Sequence, residues 1–467
     1  MQFSSNIFLL AFLPVVVILH FILPAKFRNY LLLVASLFFY AWGEPIYILL
    51  MLFSIVINWS FGLLLEKVSR GRRILLGVCI AVNLLLLGYY KYFDFFASSI
   101  NRLLGTQLIA PQNIPLPIGI SFFTFQALSY VVDLYRGNCK VQRNVLNLAL
   151  YISFFPQLIA GPIVRYADID EQIRHRTVSA ENFALGFRRF IYGLAKKVII
   201  ANTMAQLTDS VFGISLSNMT TVTAWMGAVT YTMQIYYDFS GYSDMAIGLG
   251  KMFGFDFLEN FRYPYLSRSI HEFWQRWHIS LGTWFREYVY IPLGGNRKGT
   301  LRTYCNLITV FFLTGMWHGA SWNFIVWGLF HGFFQILERV KLKKFLSKHP
   351  LISWIYCLLV VVFGWVLFRS ESLTNGIKYL LYMVAPWNFG FRDMMIFRIG
   401  LTLKEATILF CALFGCGIVQ LLAQRLSKLE AKWKYSSLEF VFLAAALVYC
   451  VILLAAGTYN PFIYFRF

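Results

Sequence analysis

Four of the chain's seven histidines fall in two tryptophan-rich runs. "IHEFWQRWHISLGTWFREY", from Ile270 to Tyr288, carries His271 and His278, and "GMWHGASWNFIVWGLFHG", from Gly315 to Gly332, carries His318 and His331. An imidazole, with an ordinary pKa of about 6.5, can take a proton from a hydroxyl at neutral pH, so each is a candidate general base. A second run, "YYDFSGYSD", sets Asp238 and Asp244 among aromatic and small residues. Their six-residue step turns about 240° around a helix, so they do not form one carboxylate pair there. Hydrogen bonding of Asp238, Ser240 and Tyr242 to a neighbouring helix is an equally good use of that run. "IPLGGNRKG", from Ile291 to Gly299, joins a glycine turn to Arg297 and Lys298. Backbone N–H groups and two cations of this kind can hold a phosphate, although a plain cytoplasmic turn is the commoner outcome.

Spacing limits which groups act together. Leu266, Ile270, Phe273, Trp274, Trp277, Leu281, Trp284, Phe285 and Tyr288 recur at three- and four-residue steps and predict one amphipathic helix. His271, Gln275, His278 and Gly282 form a second row beside that stripe, with the two histidines about 10 Å apart by helix rise, too far to share one metal ion. The plainer reading of this segment is a helix lying at the membrane interface; the sharper one points His278 into a reaction chamber. His318 and His331 lie thirteen residues apart, about 220° and 20 Å on an unbroken helix, and so do not serve one reacting atom. Gly315 and Gly319 flank His318 and suit a helix break there, whereas His331 continues a regular apolar run.

The elements that must carry these residues are membrane helices. The composition is 59% hydrophobic, 19% aromatic and 13% charged. Soluble domains run at about 45–50% apolar and about 25% charged. Continuous apolar runs long enough to cross a bilayer recur at Ile7 to Leu23, Pro45 to Leu65, Ile74 to Tyr90, Ile114 to Leu134, Val145 to Val164, and onward to Phe440 to Ala456. They predict roughly ten to twelve crossings, and their lack of alternation excludes a strand barrel. The formal charge of +20 sits in short clusters between these runs, as the positive-inside rule places it, so nucleic acid is not a partner. Glu66 to Arg73, Arg136 to Arg143, Arg165 to Lys197, Glu338 to Lys348 and Arg425 to Lys434 are accordingly expected on the cytoplasmic side, with both chain ends outside. The first apolar segment lacks a basic leader and reads as a retained span. Val145 to Val164 lies between two basic loops and conflicts with that parity.

No fixed-period repeat or low-complexity linker divides the chain, which predicts one polytopic domain over residues 1–467, with a core at about 115–340 and C-terminal helices at about 351–467. From Asn182 to Arg302 the apolar runs shorten and polar groups interrupt them, as expected of broken helices around a cavity. The seven cysteines show no Cys-x-x-Cys spacing and read as small core residues; no metal site is expected. P-loop, nucleophile-elbow and His-Glu-x-x-His motifs are absent from the sequence, as is the His-x4-Asp spacing of glycerolipid acyltransferases.

The run "FRYPYLSRSIHEFWQRWHISLGTWFREYVYIPLGGNRKG" followed by "TGMWHGASWNFIVWGLFHG" resembles the membrane-bound O-acyltransferase family, in particular the alginate O-acetyltransferase branch that modifies exported polysaccharides. "PLPIGISFFTFQALSYVVDLYRG", "QLIAGPIVRY", "YYDFSGYSDMAIGLG", "GWVLFRSESL" and the ending "NPFIYFRF" are similar too, so the likeness extends over nearly the whole chain. The resemblance implies an all-α integral membrane protein of about 11 transmembrane helices, with short re-entrant or interfacial helices around a central funnel, in a bacterial inner membrane. It makes His318, in the Trp-His-Gly motif, the catalytic base and His278, in "RWH", its partner. Asp238, Ser240, Tyr242, Asp244, Trp317 and Asn323 are expected to support the pair, and Arg297 and Lys298 to meet donor phosphates.

The activity so implied moves an acetyl group from a cytoplasmic thioester, acetyl-CoA or an acyl carrier, across the membrane for O-acetylation of a polysaccharide. No bound cofactor is expected. The resemblance further implies an extracytoplasmic partner of the SGNH-hydrolase type or a polysaccharide acceptor. Two other readings compete. D-alanyl transfer to teichoic acid belongs to the same family, but "IPLGGNRKG" favours the acetyltransferase branch. A transporter of a lipid-linked sugar also uses broken helices, yet it is expected to show internal repeats.

Overall fold

A computed structural model describes residues 1–385, 401–419, 422, 436–457 and 459–462. The basic cluster Arg425 to Lys434 and residues 463–467 of the ending lie outside the described residues. Those described form helices and connecting turns, with no strand among them. Two compact units are present, one of Met1–Phe190 with Met245–Leu258, the other of Ile191–Asp244 with Glu259–Phe467.

In the first unit, helices α1 (Ile48–Lys67) and α2 (Arg72–Leu104) are long and apolar enough to cross a membrane. Twenty residues at 1.5 Å per residue give α1 about 30 Å, the thickness of a hydrocarbon core. Most of both helices is turned outward from the unit, as lipid-facing surface requires. Where they meet, Asn58 and Asn83 exchange amide hydrogen bonds, Asn58 Nδ2 donating at 3.0 Å and Asn83 Nδ2 at 2.9 Å. Helix α3 (Ile120–Arg136) is buried along most of its length. Helix α4 (Val145–Ser153) is only nine residues long, and the chain leaves helical geometry at Phe154, two residues before Pro156. Nine residues rise about 14 Å, less than a hydrocarbon core, so α4 alone is too short for a span.

Helix α5 (Thr221–Met252) runs unbroken for 32 residues straight through "YYDFSGYSD", correcting the expected interruption. Its two carboxylates, Asp238 and Asp244, are met by lysine side chains, with no gap in the backbone ladder. The single amphipathic helix expected over Leu266 to Tyr288 is also corrected. It is two short helices, α6 (Ile270–Arg276) and α7 (Ile279–Phe285), followed by a π turn at Arg286–Tyr290. The break falls on Trp277 and His278, where His278 takes left-handed φ and ψ of 46° and 54°.

Helices α8 (Thr300–His318) and α9 (Trp322–Leu337) form a hairpin, and the chain turns extended at Gly319, where the flanking glycines suggested a break. Two glycines set how closely the hairpin closes. A Cβ on Gly328 would come within 2.2 Å of the Phe311 carbonyl, and one on Gly315 within 2.4 Å of the Phe324 carbonyl. Helices α10 (Pro350–Arg369) and α11 (Ser437–Ala455) complete the second unit, and both are long and apolar enough to span a bilayer. Among the described residues, four helices meet that test.

Candidate active site

His278 and His318 each sit at a helix terminus, His278 at the start of α7 and His318 as the last residue of α8. Both are buried in the second unit. The Trp317 ring stands beside both, its centroid 5.9 Å from the His278 ring and 5.0 Å from the His318 ring. Trp327 and Phe368 close on His318 edge to face at 5.1 and 5.2 Å. Phe239 of α5 does the same to His278 at 4.6 Å.

Short helices such as α6 hold position only when their ends are fixed. Glu338 accepts from the Ile270 N–H at 2.7 Å and Ser269 Oγ from the Glu272 N–H at 3.0 Å, so the first turn of α6 has its donors met. Below it, Phe273 and Trp277 stack, and Trp277 packs on Trp365 of α10 at 4.7 Å. Asn260 braces the break itself. Its carbonyl oxygen accepts from the Ile279 N–H at 3.0 Å, and its side-chain Oδ1 takes the Ser280 N–H at 3.2 Å and the Ser280 hydroxyl at 2.9 Å. His278 Nδ1 lies 3.1 Å from the same Oδ1, and Asn260 Nδ2 donates to Ser243 of α5 at 3.1 Å.

A cavity of about 430 Å³ has His278 in its wall. His271, Gln275, His278 and Gly282, the row read from the sequence, line it together although the helix carrying them is broken. Arg286 and Arg339 line it as well, as does Asn296 of the glycine turn. Arg297 and Lys298 are exposed on that turn, and the Lys298 stem folds over Gly294. Partial burial, and then the Arg339 charge, hold His271 below the ordinary imidazole pKa, and Gln275 Nε2 lies 3.1 Å from its Nε2.

The remaining expected residues are placed elsewhere. Asp238 is fully enclosed and ion-paired with Lys197 at 2.5 Å, and Lys197 also donates to the Pro461 carbonyl. Asp244 pairs with Lys196 at 2.7 Å. The two lysines are consecutive in a π turn at Lys196–Ala201, which carries each to its own carboxylate. Tyr242 packs against Phe462 at 4.8 Å, and the Ser240 hydroxyl is buried. Asn323 accepts from Ser321 Oγ at 2.5 Å and donates to the Ser370 carbonyl at 2.6 Å, pinning the α8–α9 turn to the end of α10. His331 is wholly enclosed among Phe273, Trp274 and Trp327.

The run "YYDFSGYSD" thus reaches His278 through Phe239 directly and through Ser243 by way of Asn260, two residues one helical turn apart on one face. Asn260 and Ser280 went unread in the sequence, and Lys196 and Lys197, read there as the end of the basic cluster Arg165 to Lys197, are corrected to ion-pair partners of two carboxylates, Lys197 fully buried. Only Lys196 and Lys197 left a signal, as two cations inside an apolar run that needed partners.

Comparison with known proteins accords with this architecture. Residues 120–376 match the model of the membrane-bound O-acyltransferase family. The chain is 46% identical over 400 residues to a protein of Azotobacter vinelandii named "Probable alginate O-acetylase AlgI", covering 84% of this chain and 79% of that one. It is 38% identical to a "Peptidoglycan O-acetyltransferase" of Helicobacter pylori, over 82% and 80% of the two chains. A "Teichoic acid D-alanyltransferase" of Bacillus subtilis is more distant, at 28% identity over 56% of this chain and 70% of that one. The family model spans both histidines, the broken helix at His278 and the α8–α9 hairpin, and the chain is a member of the membrane-bound O-acyltransferase family, an O-acyltransferase of the membrane.

Proposed function

We propose that this enzyme carries an acetyl group from a cytoplasmic thioester to a hydroxyl on the other side of the membrane, for O-acetylation of an exported or cell-wall polysaccharide. The observation that carries the reading is the convergence of His278 and His318, forty residues apart in sequence, on the Trp317 ring, with His278 in the wall of a cavity. The names of the alginate and peptidoglycan relatives support the polysaccharide class. About eleven membrane segments around a funnel, in a bacterial inner membrane, would bring donor and acceptor to the pair from opposite faces.

The chemistry needs little beyond positioning and proton transfer, because a thioester is already activated. Neutral His318 takes the hydroxyl proton as the oxygen attacks the thioester carbonyl. The new C–O bond forms, the C–S bond breaks, and the thiolate leaves to be protonated. Two duties are open to His278: polarising the thioester carbonyl, or orienting His318. The donor is acetyl-CoA, and its phosphates suit the cationic lining at Arg286 and Arg339 together with the exposed Arg297 and Lys298. Asp238, Ser240, Tyr242, Asp244 and Asn323 hold the surrounding helices, and Trp317 sets the spacing of the pair. The acceptor side is met by an SGNH-hydrolase-type partner or by the polysaccharide directly.

The test uses purified protein in proteoliposomes with radiolabelled acetyl-CoA. Thioester consumption that disappears in His318→Ala supports the reading. Full consumption in that variant, or charging from a D-alanyl carrier protein alone, overturns it.

A further inference from the structure

Asn260 decides which nitrogen of His278 carries the proton. The Ser280 N–H, a donor that cannot be reversed, points at Asn260 at 3.2 Å, so the atom it meets must be the amide oxygen. Were the amide turned over, its NH2 would confront that N–H and abandon the Ser243 hydroxyl, which now accepts from Nδ2 at 3.1 Å. With Oδ1 so placed, its lone pairs face His278 Nδ1 at 3.1 Å, and a neutral imidazole answers an acceptor only by carrying its hydrogen on that nitrogen. The Ser280 hydroxyl spends its hydrogen on the same oxygen at 2.9 Å and so offers Nδ1, 3.5 Å away, only a lone pair. Nε2 is buried and meets no hydrogen-bond partner among the described residues.

From this geometry we infer that Asn260 is a positioning residue that holds His278 as the Nδ1–H tautomer, so that His278 meets the reacting groups with a lone pair on Nε2 and not with a hydrogen. The inference rests on the acetyl-transfer reading for its consequence: neutral His278 does not polarise the thioester carbonyl, since it has no hydrogen to offer there. It accepts one, holding an N–H of His318 or the hydroxyl that is to be acetylated. The left-handed backbone at His278 fits this duty. It turns the imidazole away from the axis of α7 and lets Asn260, from the segment before α6, reach Nδ1.

The direct measurement is 15N magic-angle-spinning NMR of the full chain in lipid bilayers with 15N-histidine, at a pH where the ring is neutral. The His278 resonances are identified by their loss in His278→Gln. A protonated Nδ1 with a bare Nε2 is the expected result. A hydrogen on Nε2, or on both nitrogens, overturns the inference, and this holds whether or not the protein consumes acetyl-CoA. Failure of the wild type to consume acetyl-CoA would instead sink the function.

Two variants read the same point in kinetics. Asn260→Leu removes the acceptor, and kcat is expected to fall by on the order of 100-fold, at the lower end of what a general acid–base group contributes, with KM for acetyl-CoA little changed. Asn260→Asp keeps the acceptor and adds a charge that favours the imidazolium. It retains far more of kcat, and the acidic limb of kcat against pH moves upward because the added carboxylate favours the charged ring, with His318, beside the same Trp317 ring, as the neighbouring titratable group. Equal losses in both variants, or an unmoved acidic limb in Asn260→Asp, would mark Asn260 as structural only and overturn the assignment.

Discussion

Asp238 and Lys197 provide the sharpest energetic test, because their side chains are 3% and 2% exposed and sit 2.5 Å apart. At an effective dielectric of about 20 their attraction is about 7 kcal/mol, against a desolvation cost of several kcal/mol for each ion. The pair therefore nets close to zero, while half of it is expensive. Asp238→Asn leaves a buried ammonium and is expected to cost about 3–5 kcal/mol, roughly a hundred- to several-thousandfold in the folding equilibrium. The lower end applies, since Lys197 retains the Pro461 carbonyl. Replacing both partners, as Lys197→Met with Asp238→Leu, is expected to recover most of that loss. The Lys196–Asp244 pair is the internal control. Its side chains are 31% and 17% exposed, and Asp244→Asn is expected to cost about 1 kcal/mol or less. Equilibrium unfolding in mixed micelles, followed by tryptophan fluorescence, reads all four proteins. Equal losses in Asp238→Asn and Asp244→Asn, or a double variant no more stable than Asp238→Asn, would refute the reasoning.

If His278 and His318 act together as proposed, they should behave as one device: His318→Ala and His278→Ala each lower kcat by about 10²–10⁴-fold, and the double variant is little worse than the poorer single, measured as acetyl-CoA turnover. Arg286→Ala with Arg339→Ala should raise KM for acetyl-CoA by about tenfold or more, the loss of one or two charge-assisted contacts, with kcat held and the effect shrinking in high salt. Gly328→Ala forces a methyl against the Phe311 carbonyl and should cost about 1–3 kcal/mol in the same unfolding assay, with activity falling as the hairpin opens at His318. A Gly328→Ala protein of unchanged stability would mean that the hairpin is not closed as tightly as these backbones imply.

Which of these features the sequence disclosed follows from how each is encoded. Apolar runs announce membrane helices by composition alone, so α1, α2, α10 and α11 were legible. The break after His318 was legible because Gly315 and Gly319 flank it. The break at His278 was not, because the row His271, Gln275, His278 and Gly282 satisfies helical periodicity across it. A one-residue left-handed turn leaves the pattern nearly intact, and the row still lines one cavity. The partners of Asp238 and Asp244 were illegible for a different reason. A carboxylate in an apolar run signals that a partner exists, but not that the partner is a lysine more than forty residues upstream. Asn260 left no signal, since a single amide has many uses and only the converging donors of Ser280 and His278 select this one.

Both imidazoles stand at helix termini, and that placement answers a problem set by membrane depth. A regular helix satisfies its own backbone groups and lays out side chains at fixed angular steps, so two histidines on one helix meet only at three- or four-residue spacing. Here the two imidazoles are carried on helix ends inside the protein, and each end exposes backbone donors or acceptors that lipid does not satisfy. At His278 those donors are taken by Asn260, at the start of α6 by Glu338 and Ser269, and Asn323 ties the turn after His318 to the Ser370 carbonyl. The polar residues around the two histidines thus have a structural duty whatever the chemistry: they satisfy the backbone groups left open where each helix stops. Asn260 joins the two duties, because the amide that satisfies the break through Ser280 is also the one that orients His278.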